Sequence, residues 1–413
     1  MTENTSNSPE TSTSEVPANY GPLAGIRVLE LGTLIAGPFA SRMLGEFGAE
    51  VIKVETPGSG DPIRKWRVLH EGNSLWWAVQ ARNKKSLTLN LKAQAGLDVL
   101  RKLIQSTDIL VENFRPGQLE KWGLSPSELQ VLNPGLIVVR LSGYGQTGPY
   151  KDRPGFGAIA ESIGGMRFLS GDTDRPPVRV GISIGDSLAG LHAVIGALMA
   201  LQQRHKTGKG QVVDVALYES VFNMMESLLP EYDFAGVVRK RSGASLPGIV
   251  PSNTYTCGCG GFIVIGGNGD AIFKRLMLAI DRPDFAENPD MASNDGRVRH
   301  TELIDDTIAK WCKERSIDDA LHVLEQADVP VSKIYSIEDI VRDPQFAARG
   351  MIEEHPFGDD RTLKVPGVVP KLSDTPGQTR WLGPKLGEHN AQVLADLGYS
   401  AQDIQRMADD GVI

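Results

Sequence analysis

Residues 26 to 55 read IRVLELGTLIAGPFASRMLGEFGAEVIKVE, and the order of segments in this stretch indicates the architecture. Residues 26 to 31 are predicted to form a buried strand, residues 32 to 37 a turn, residues 38 to 47 a helix and residues 49 to 55 a second strand. A strand, a helix and a second strand in this order form a βαβ unit. This unit is the building block of parallel sheets that are covered by helices.

The same alternation continues downstream. Further strands are predicted over residues 86 to 91, 108 to 112 and 136 to 141, and helices over residues 95 to 105, 116 to 122 and 126 to 132. We therefore expect an α/β fold with a doubly wound, mostly parallel sheet of the Rossmann-like type. The first turn contains only Gly32 and Gly37 in place of the Gly-x-Gly-x-x-Gly fingerprint. A nicotinamide site is therefore not expected, although Glu55 stands where a ribose-binding acid would.

The pattern changes after Gly208, where a second domain is expected to begin. Residues 211 to 215 are strand-like, residues 216 to 229 are helical, and a loop rich in Gly, Ser and Pro follows. A strand over residues 262 to 265 and helices over residues 271 to 280, 301 to 315 and 316 to 326 indicate a smaller α+β domain. We predict a disordered tail over residues 1 to 18 and a large Rossmann-like domain over residues 19 to 215. The smaller domain is predicted over residues 216 to 330. Residues 331 to 413 are predicted to return to the large domain and complete it, with a helix over residues 386 to 407.

The composition argues against several classes of protein. With 43 basic and 51 acidic residues the chain has a net charge of −8, which gives no general reason to bind nucleic acid or an anionic membrane. Three cysteines are too few for a disulfide framework and lack zinc-type spacing, so we expect a cytoplasmic protein without a metal site. The apolar segment 188 to 201 is too short to span a bilayer, and the first residues do not resemble a signal peptide.

Asp186 stands at the join between a loop and a long apolar helix, in the stretch GISIGDSLAG over residues 181 to 190. A carboxylate at the start of a helix accepts hydrogen bonds from free backbone N–H groups and lies at the positive end of the helix dipole. It should therefore stay ionised near neutral pH, which suits a nucleophile. The competing interpretation is that Asp186 only caps the helix.

A glycine-rich segment, Gly266-Gly267-Asn268-Gly269, follows the strand predicted over residues 262 to 265. It lacks the Lys-Ser/Thr ending of a P-loop, so it is not expected to hold nucleotide phosphates. As a mobile flap, its glycines would let backbone N–H groups approach a reacting centre closely. A plain hairpin or a strand-to-helix turn fits the segment equally well.

Several cations fall in or near loops that follow predicted strands or helices. They are Arg64, Arg82, Lys84, Lys85, Arg115, Lys121, Lys151 and Arg153. Because the ligand crevice of an open α/β sheet lies at the carboxyl ends of its strands, such a group would suit a ligand with several phosphates. Any one of them alone is more often solvated surface charge. No Gly-x-Ser-x-Gly motif accompanies the histidines, which disfavours Ser-His-Asp hydrolysis.

Ordered motifs along the chain resemble those of one enzyme family. The motifs are IAGP at residues 35 to 38, GAEVIKVE at 48 to 55, GD at 60 to 61, RNKKSL at 82 to 87, ENFRPG at 112 to 117, SGYGQTGP at 142 to 149, TGKGQ at 207 to 211, GEHN at 387 to 390 and GVI at 411 to 413. In this order they resemble the class III coenzyme A transferases, the family that includes formyl-CoA:oxalate and carnitine CoA-transferases. The likeness runs from about residue 22 to the end.

The resemblance implies roles for particular residues. It implies that Asp186 is the catalytic nucleophile, that Gly266 and Gly267 belong to the catalytic flap, and that the large domain binds CoA. It places CoA along Ile35, Ala36, Leu89, Asn90, Leu91, Lys92, Glu112, Asn113, Phe114, Arg115, Lys121, Pro154, Gly155, Phe156 and Gly157. It also implies CoA thioesters as substrates, no permanently bound cofactor, and an interlocked homodimer, with a heteromer of paralogues as the alternative.

By the same likeness we expect transfer of CoA from succinyl-CoA to a dicarboxylate of four or five carbons, such as malate, citramalate or itaconate. Asp186 would form a mixed anhydride and then an aspartyl-CoA thioester. Thr33 and Ile35 replace a His and a Gln of oxalate-specific relatives, which argues against oxalate. Phe156 replaces a His of the racemase branch, which argues against 2-methylacyl-CoA racemisation. The remaining alternatives are that isomerase and a non-catalytic CoA-binding subunit of a heteromeric transferase.

Overall fold

The structure is a computed structural model that describes residues 20 to 359 and 361 to 413. The disordered tail predicted over residues 1 to 18 lies outside the described residues. The chain divides into two compact units. The first contains residues 20 to 160, Ser183–Val221 and Gly350–Ile413, and the second contains Glu161–Ile182 and Phe222–Arg349.

The elements alternate between strands and helices over most of the chain. The strands are β1 Arg27–Glu30, β2 Glu50–Glu55, β3 Leu69–His70, β4 Asn73–Ser74, β5 Lys84–Thr88, β6 Ile109–Glu112, β7 Ile137–Ser142, β8 Val212–Ala216, β9 Ser252–Thr256, β10 Phe262–Gly266, β11 Val331–Lys333, β12 Ile352–Phe357 and β13 Arg361–Pro366. The helices are α1 Ala36–Glu46, α2 Leu75–Gln80, α3 Gln94–Gln105, α4 Gln118–Lys121, α5 Pro126–Leu132, α6 Gly157–Ile163, α7 Met166–Leu169, α8 Ile184–Thr207, α9 Leu217–Phe222, α10 Leu228–Ala235, α11 Asp270–Ala279, α12 Pro283–Ala286, α13 Asn294–Arg299, α14 Thr301–Lys313, α15 Ile317–Gln326, α16 Ile337–Arg342, α17 Pro344–Ala348, α18 Asn390–Asp396 and α19 Ala401–Asp409, with 3₁₀ turns at Pro62–Lys65 and Pro289–Met291.

A six-stranded sheet forms the centre of the first unit. Its order is β5-β2-β1-β6-β7-β8 and every neighbouring pair is parallel. Counted along the chain, this is the order 3-2-1-4-5-6 of dinucleotide-binding folds. The order reverses between β1 and β6, where Val28 pairs with Val51 on one side and Ile109 on the other. In such sheets ligands bind beyond the carboxyl ends of the strands at the reversal, so the topology itself locates a crevice.

Helices cover the sheet because the buried strands are apolar on both faces. Leu29, Ile52 and Leu110 pack in one cluster with side chains of α3, α5 and α18. Helices α1 and α8 pack on each other, α1 also against β1 and β2, and α8 also against β7 and β8. Both faces of the sheet are therefore buried, and the charged side chains within these strands, such as Glu30, Lys53 and Lys84, are buried with them.

Helix α8 extends beyond residues 188 to 201, the apolar segment that was predicted to be too short to span a bilayer. It has 24 residues and contains an 18-residue window with a mean hydropathy of 1.6, so by length and composition it could cross a bilayer. One such helix is weak evidence, because a helix in a protein core has the same properties. Small residues bring α8 close to its neighbours, since a Cβ on Gly190 would lie 2.7 Å from Phe39 and one on Gly196 would lie 2.5 Å from Val213.

The second unit is built on a three-stranded antiparallel sheet in the order β11-β10-β9. Side chains of α11, α14 and α15 pack on it around Ile263 and Ile265. Its limits differ from the predicted 216 to 330. Residues 331 to 349 join this unit because β11 pairs with β10, and residues 161 to 182 also belong to it.

Some predicted elements are divided or displaced. The helix predicted over residues 386 to 407 is two helices, because Gly398 has φ +85 and Ser400 caps the second one. The helix predicted over 216 to 229 ends at Phe222 and is followed by a turn in which Glu226 has φ 48. The hairpin of β12 and β13 was not predicted.

Candidate active site

The loop between β1 and α1 lies at the reversal of strand order and is fixed from two sides. Asn113, just after β6, accepts from the Thr33 N–H at 2.8 Å and donates to the Thr33 carbonyl at 2.9 Å. Leu34 has φ 67, and its N–H donates to both carboxylate oxygens of Asp61 at 3.1 Å. The left-handed conformation is costly for leucine, so these hydrogen bonds hold the loop in a strained shape. The loop leads directly into Ile35.

A buried charge network supports this loop. The Lys53 ammonium lies 2.8 Å from Glu30 and 2.9 Å from Asp61, and it donates to the Gly32 carbonyl at 2.7 Å. Burial opposes its charge, but Glu30, Asp61 and Glu55 together raise the pKa of Lys53. The three hydrogen bonds occupy the ammonium, so Lys53 organises the loop.

The pKa of Lys84 shifts in the opposite direction from that of Lys53, because for Lys84 the effect of burial outweighs that of the neighbouring carboxylate. Its ammonium lies 2.7 Å from Glu30 and donates to the Pro38 carbonyl at 2.7 Å. Burial is the largest effect and lowers the pKa of Lys84 to about 8, although Glu30 opposes the shift. Lys53 lowers that pKa further, because the two cations share one carboxylate.

A cleft of about 490 Å³ opens at the carboxyl ends of β1, β2, β5 and β6. It brings together five residues that the resemblance assigned to CoA, namely Leu89, Asn90, Leu91, Lys92 and Phe114. The remaining walls are formed by Leu31, Thr33, Lys53, Val54, Glu55, Thr56, Pro57, Gly60, Asp61, Trp122 and Gly411. The rings of Phe114 and Trp122 meet edge to face with centroids 5.2 Å apart. The aromatic rings of Phe114 and Trp122 therefore form one part of the cleft lining, and polar side chains such as Lys53, Glu55 and Asp61 form another.

Two of the predicted contact residues have side chains that are already engaged. Glu112 is buried, pairs with Arg140 at 2.7 Å and accepts from the Phe114 N–H at 2.7 Å. Burial raises the pKa of Glu112, and Arg140 and the Phe114 N–H only partly oppose the shift. Asn113 is occupied by Thr33, as described above. Both side chains shape the cleft from behind.

The cations that were expected to bind phosphates fall into two sets, one paired with carboxylates and one exposed. Four of them are paired with carboxylates at 2.6 to 2.7 Å: Arg64 with Glu55, Arg82 with Glu46, Lys84 with Glu30 and Lys85 with Glu50. The expectation that these four would meet a phosphorylated ligand is therefore wrong. Arg115 and Lys121 are exposed, as is Lys92, and within residues 20 to 359 and 361 to 413 none of these three has an ion pair. Arg153 is exposed and stacks on Tyr150 at 3.6 Å.

Asp186 lies in the first turn of α8, as the sequence predicted, and is partly buried. Its carboxylate lies directly against Gly157, where a Cβ would be 2.1 Å from Oδ2. Gly155 in turn packs on Gly143, since a Cβ on either residue would lie 2.8 Å from the Cα of the other. Pro154 and Phe156 are exposed. The predicted segment 154 to 157 thus contacts the candidate nucleophile through backbone, which requires glycine at position 157.

The other predicted residues near the start of α1 lie one helical turn along from Asp186. A Cβ on Gly190 would be 3.1 Å from the Ala36 carbonyl. Ala36 is buried and Ile35 is partly buried, and the Ile35 carbonyl accepts from Gln80 at 3.0 Å. The N-terminal ends of α1 and α8 are therefore adjacent. Each end carries free backbone N–H groups and the positive end of a helix dipole.

Sequence reasoning did not single out Ser142, the last residue of β7. Its side chain is 7% exposed, and within the described part of the chain its hydroxyl has no hydrogen-bond partner. It precedes Gly143, which packs on the segment beside Asp186. The sequence does carry a signal for Ser142. It is the first residue of the motif SGYGQTGP and follows the strand predicted over residues 136 to 141, and polar residues at the carboxyl ends of parallel strands are candidate site residues.

The glycine-rich segment belongs to the second unit and is a strand-to-helix turn between β10 and α11. The Gly266 N–H donates to the Pro330 carbonyl at 2.9 Å, and the Gly267 N–H donates to the Pro251 carbonyl at 3.0 Å. Gly267 is buried, and a Cβ there would lie 2.5 Å from Leu276. Glycine at 267 is therefore required by packing.

Comparison with known proteins now adds to this geometry. The family model described as CoA-transferase family III matches residues 23–390. The chain belongs to this family. It is thus an enzyme that transfers CoA and takes CoA thioesters as substrates. Within the described residues, no group of three or more His, Cys, Asp or Glu side chains could hold a metal ion.

Individual relatives in the CoA-transferase family cover nearly the whole chain. The succinyl-CoA–D-citramalate CoA-transferase of Chloroflexus aurantiacus is 48% identical over 95% of this chain and 98% of its own length. The alpha subunit of the succinyl-CoA–L-malate CoA-transferase of Chloroflexus aurantiacus is 40% identical over 95% of this chain and 92% of its own. A solved structure, a CAIB/BAIF family protein from Brucella suis, has a TM-score of 0.81 at 32% identity and covers 92% of this chain and 100% of that chain. A CoA-transferase acting on dicarboxylates is therefore supported.

Proposed function

We propose that this enzyme moves CoA from succinyl-CoA to a dicarboxylic acid of four or five carbons, with citramalate and malate as the preferred acceptors. The observation that carries the proposal is the carboxylate of Asp186 at the N-terminal end of α8, pressed against Gly157 beside the start of α1. A helix N-terminus keeps a carboxylate ionised and therefore nucleophilic. The names of two similar enzymes, which act on D-citramalate and L-malate, supply the acceptor class.

The first half of the reaction is written as two displacements. An oxygen of Asp186 attacks the thioester carbon of succinyl-CoA, the new C–O bond forms, and the C–S bond breaks so that CoA leaves as a thiolate. The product is a mixed anhydride of Asp186 and succinate. The thiolate then attacks the Asp186 carbonyl carbon, succinate leaves with the bridging oxygen, and an aspartyl-CoA thioester remains. No proton is consumed in either step.

The second half runs in the opposite order. A carboxylate oxygen of the acceptor attacks the aspartyl thioester carbon and expels CoA thiolate, which gives a new anhydride. The thiolate then attacks the acyl carbon of the acceptor, and the Asp186 carboxylate leaves intact. Covalent relay divides one difficult exchange into four displacements. Because an anhydride hydrolyses in water, transfer through it requires that solvent be kept away from the acylated Asp186.

The cleft beside β5 and β6 is proposed to hold the nucleotide end of CoA. The aromatic pair of Phe114 and Trp122 suits a flat base, which prefers stacking and edge contacts with aromatic rings. Lys92, Arg115 and Lys121 are the cations of the predicted CoA-binding set and remain exposed, so they are proposed to meet the phosphates. Glu112 and Asn113 act indirectly by holding Phe114 and Thr33 in place.

A second copy of the chain is proposed to cover the outer side of α8. Leu191, Ile195, Leu198 and Met199 are exposed along this helix, and Met199 is 67% exposed. These side chains recur at helical spacing and form an apolar stripe. An uncovered apolar stripe on a long helix is typical of a subunit interface. The interlocked homodimer implied by the family resemblance provides the occupant.

The acceptor is tested with a panel of acids. Purified enzyme is incubated with succinyl-CoA and, in separate reactions, citramalate, malate, itaconate, glutarate or oxalate, and the CoA thioesters formed are identified by mass. We expect citramalyl-CoA or malyl-CoA to form fastest. Oxalate should react poorly, since Thr33 and Ile35 stand where a His and a Gln are expected for oxalate. Preference for oxalate would refute the proposed acceptor class.

One observation favours a second candidate, in which the chain works only together with a paralogue. The malate enzyme named above contains an alpha subunit, and that subunit is 40% identical to this chain. The purified single chain decides between the two candidates. Transfer activity in the absence of any second polypeptide supports the homomeric enzyme, and activity that appears only after a paralogue is added supports the heteromer.

A further inference from the structure

A cavity separate from the cleft lies at the amino ends of the strands of the six-stranded sheet, within the first compact unit. Its volume is about 890 Å³, which is in the range of small-molecule sites. Arg27, Glu50 and Lys85 line it where β1, β2 and β5 begin. Glu55, which ends β2, lines the cleft instead. The two cavities are therefore separated by the length of a strand, about 15 to 20 Å.

One wall of this cavity, residues 378 to 381, is held in place by hydrogen bonds to the sheet. The Asn83 side chain accepts from the Arg380 N–H at 2.7 Å and donates to the Gln378 carbonyl at 2.7 Å. The Asn83 N–H donates to the Trp381 carbonyl at 3.0 Å, and the indole N–H of Trp381 donates to a backbone carbonyl of β5 at 3.0 Å. The wall is therefore fixed before any ligand binds, which lowers the entropic cost of binding.

The side chain of Arg380 lacks a counterion. Within residues 20 to 359 and 361 to 413 no carboxylate pairs with its guanidinium, so burial lowers the pKa of Arg380 without opposition. The guanidinium lies over the Trp381 ring at 4.7 Å and donates to the Gly45 carbonyl at 3.5 Å. A partly buried cation without a partner is unfavourable. Because its donors form a planar fork, a carboxylate or a phosphate is the partner that it fits.

The other charges around the cavity do not supply that partner. Arg27 and Lys85 both lie 2.7 Å from Glu50. Burial raises the pKa of Glu50, but these two cations outweigh burial and lower the pKa overall, so the carboxylate stays ionised and shared. Asp108, which also lines the cavity, pairs with Arg204 at 2.9 Å. Both lining carboxylates are thus already engaged, and an anion that enters the cavity meets an excess of positive charge.

A second polar group in the same wall is also unsatisfied. The Thr379 hydroxyl is buried, and in the described part of the chain it has no hydrogen-bond partner. Buried polar groups normally have such a partner, so an orphaned hydroxyl in a cavity wall indicates a ligand or a bound water. A hydroxyl donates readily to an oxyanion, and Thr379 is the chain neighbour of Arg380.

We propose that this cavity binds a compact anion with two or more negative charges, a phosphate or a polycarboxylate, through the Arg380 guanidinium and the Thr379 hydroxyl. The site lies at the opposite end of the sheet from the cleft proposed for CoA, and it goes beyond the proposed transfer reaction. Binding there makes and breaks no covalent bond. Because the anion binds the folded wall, it stabilises the folded state.

Isothermal titration calorimetry of the full-length enzyme with inorganic phosphate and, separately, with citrate measures the binding at constant ionic strength. We expect saturable binding of at least one probe, and the tighter probe identifies the chemistry of the ligand. Arg380→Gln should weaken binding by about tenfold or more and Thr379→Val by about fivefold. Arg349→Gln is the control, because it removes the same charge from an exposed side chain that does not line the cavity.

The absence of saturable binding of both probes, or equal losses in Arg380→Gln and Arg349→Gln, would overturn the proposal. An unchanged affinity in Thr379→Val would overturn the assignment of the hydroxyl. The affinity for CoA should be the same in Arg380→Gln as in the wild type, and a weakened affinity would show that the cavity is not a separate site.

Hydrogen exchange of the wild-type enzyme locates the bound probe and decides the matter if Arg380→Gln does not fold. With the tighter probe we expect slower amide exchange over residues 378 to 381 and no change over residues 89 to 92, which line the cleft. Slower exchange over residues 89 to 92 alone would place the anion in the cleft and refute the proposal. Neither measurement uses CoA transfer, so failure of the proposed acceptor class is detected separately.

Discussion

At the scale of single residues, the identity of position 157 constrains where the Asp186 carboxylate can lie. The Cβ of any other residue at 157 would lie 2.1 Å from Oδ2 of Asp186, which is too close for both atoms to keep their positions. An attacking oxygen must be placed within a fraction of an ångström of its line of approach, so glycine here is part of the nucleophile's geometry.

Gly157→Ala is expected to lower kcat by about 100-fold, because the added methyl displaces an attacking atom by about 1 Å. Steady-state kinetics with succinyl-CoA measures the effect. Gly181→Ala is the control, since a Cβ there has nothing within 4 Å. Equal kcat values for the two variants would show that the carboxylate does not need its present position.

Which cations are free was not predictable from the sequence. The local sequence places Arg82, Lys84 and Arg115 in similar surroundings, but only the first two are buried against carboxylates. Their partners, Glu46 and Glu30, lie in other elements. Pairing of this kind is set by tertiary packing, so residue spacing alone does not reveal it. The position of Asp186 in the first turn of a helix was predictable because the helix signal is local, whereas its contact with Gly157 was not.

At the scale of elements, the loop between β1 and α1 depends on charges that lie outside it. Asp61 holds the Leu34 N–H while paired with Lys53. Burial raises the pKa of Asp61, but Lys53 and the N–H groups of Ile63 and Leu34 outweigh this effect, so the pKa is lowered overall. A lowered carboxyl pKa stabilises the fold above the unfolded pKa of about 4, and this contribution is lost as the pH falls through the folded value.

Asp61→Asn is therefore expected to lower the free energy of unfolding at pH 7 by about 3 kcal/mol, because it breaks a buried ion pair. The difference from the wild type should shrink as the pH falls from about 4 through the lowered folded pKa, where the wild-type carboxyl also becomes neutral. Urea unfolding followed at several pH values measures both effects. A difference that is the same at pH 7 and at pH 3 would contradict the assigned role of the charge.

Asn113→Ala is expected to raise the KM for succinyl-CoA by about tenfold, because losing both hydrogen bonds to Thr33 loosens the loop at the cleft. Asn133→Ala is the matched control. Asn133 likewise makes two hydrogen bonds to distant backbone, donating to the Ile104 and Thr107 carbonyls, but it does not line the cleft. A similar rise in KM for the control would indicate general destabilisation.

Elements with strong local signals were predictable and those that depend on distant partners were not. Helix α5 was predicted with its observed bounds, since Ser125 and Glu128 form a capping box at its start. The strand predicted over residues 86 to 91 is β5, Lys84–Thr88, because pairing with β2 sets its register. The hairpin of β12 and β13 alternates only weakly between apolar and polar residues, so its sequence carries little strand signal.

At the scale of the whole molecule, parallel strand alternation was enough to predict the α/β class, and the observed order 3-2-1-4-5-6 adds the position of the crevice. The limits of the units required pairing information, because β8 and β11 each join a sheet formed largely by distant residues. The assembly of two chains is a separate prediction that rests on the family resemblance, and the exposed apolar stripe on α8 is consistent with it.

The enzyme is expected to have twice the mass of one chain in solution by light scattering. If the two chains are interlocked, they cannot separate without unfolding. Two homodimers with different tags should therefore form no mixed dimer when they are combined under native conditions, whereas refolding them together should produce one. A monomeric mass, or rapid mixing of the native dimers, would refute the interlocked assembly.

The most direct test of the account is to find the acylated side chain. The enzyme is mixed with succinyl-CoA, treated with borohydride or hydroxylamine, digested and mapped by peptide mass, with Asp186→Ala as the control. We predict that the modification lies on the peptide containing Asp186 and is absent from the control. Modification of another residue, or turnover without any adduct, would contradict the claim that Asp186 is the nucleophile.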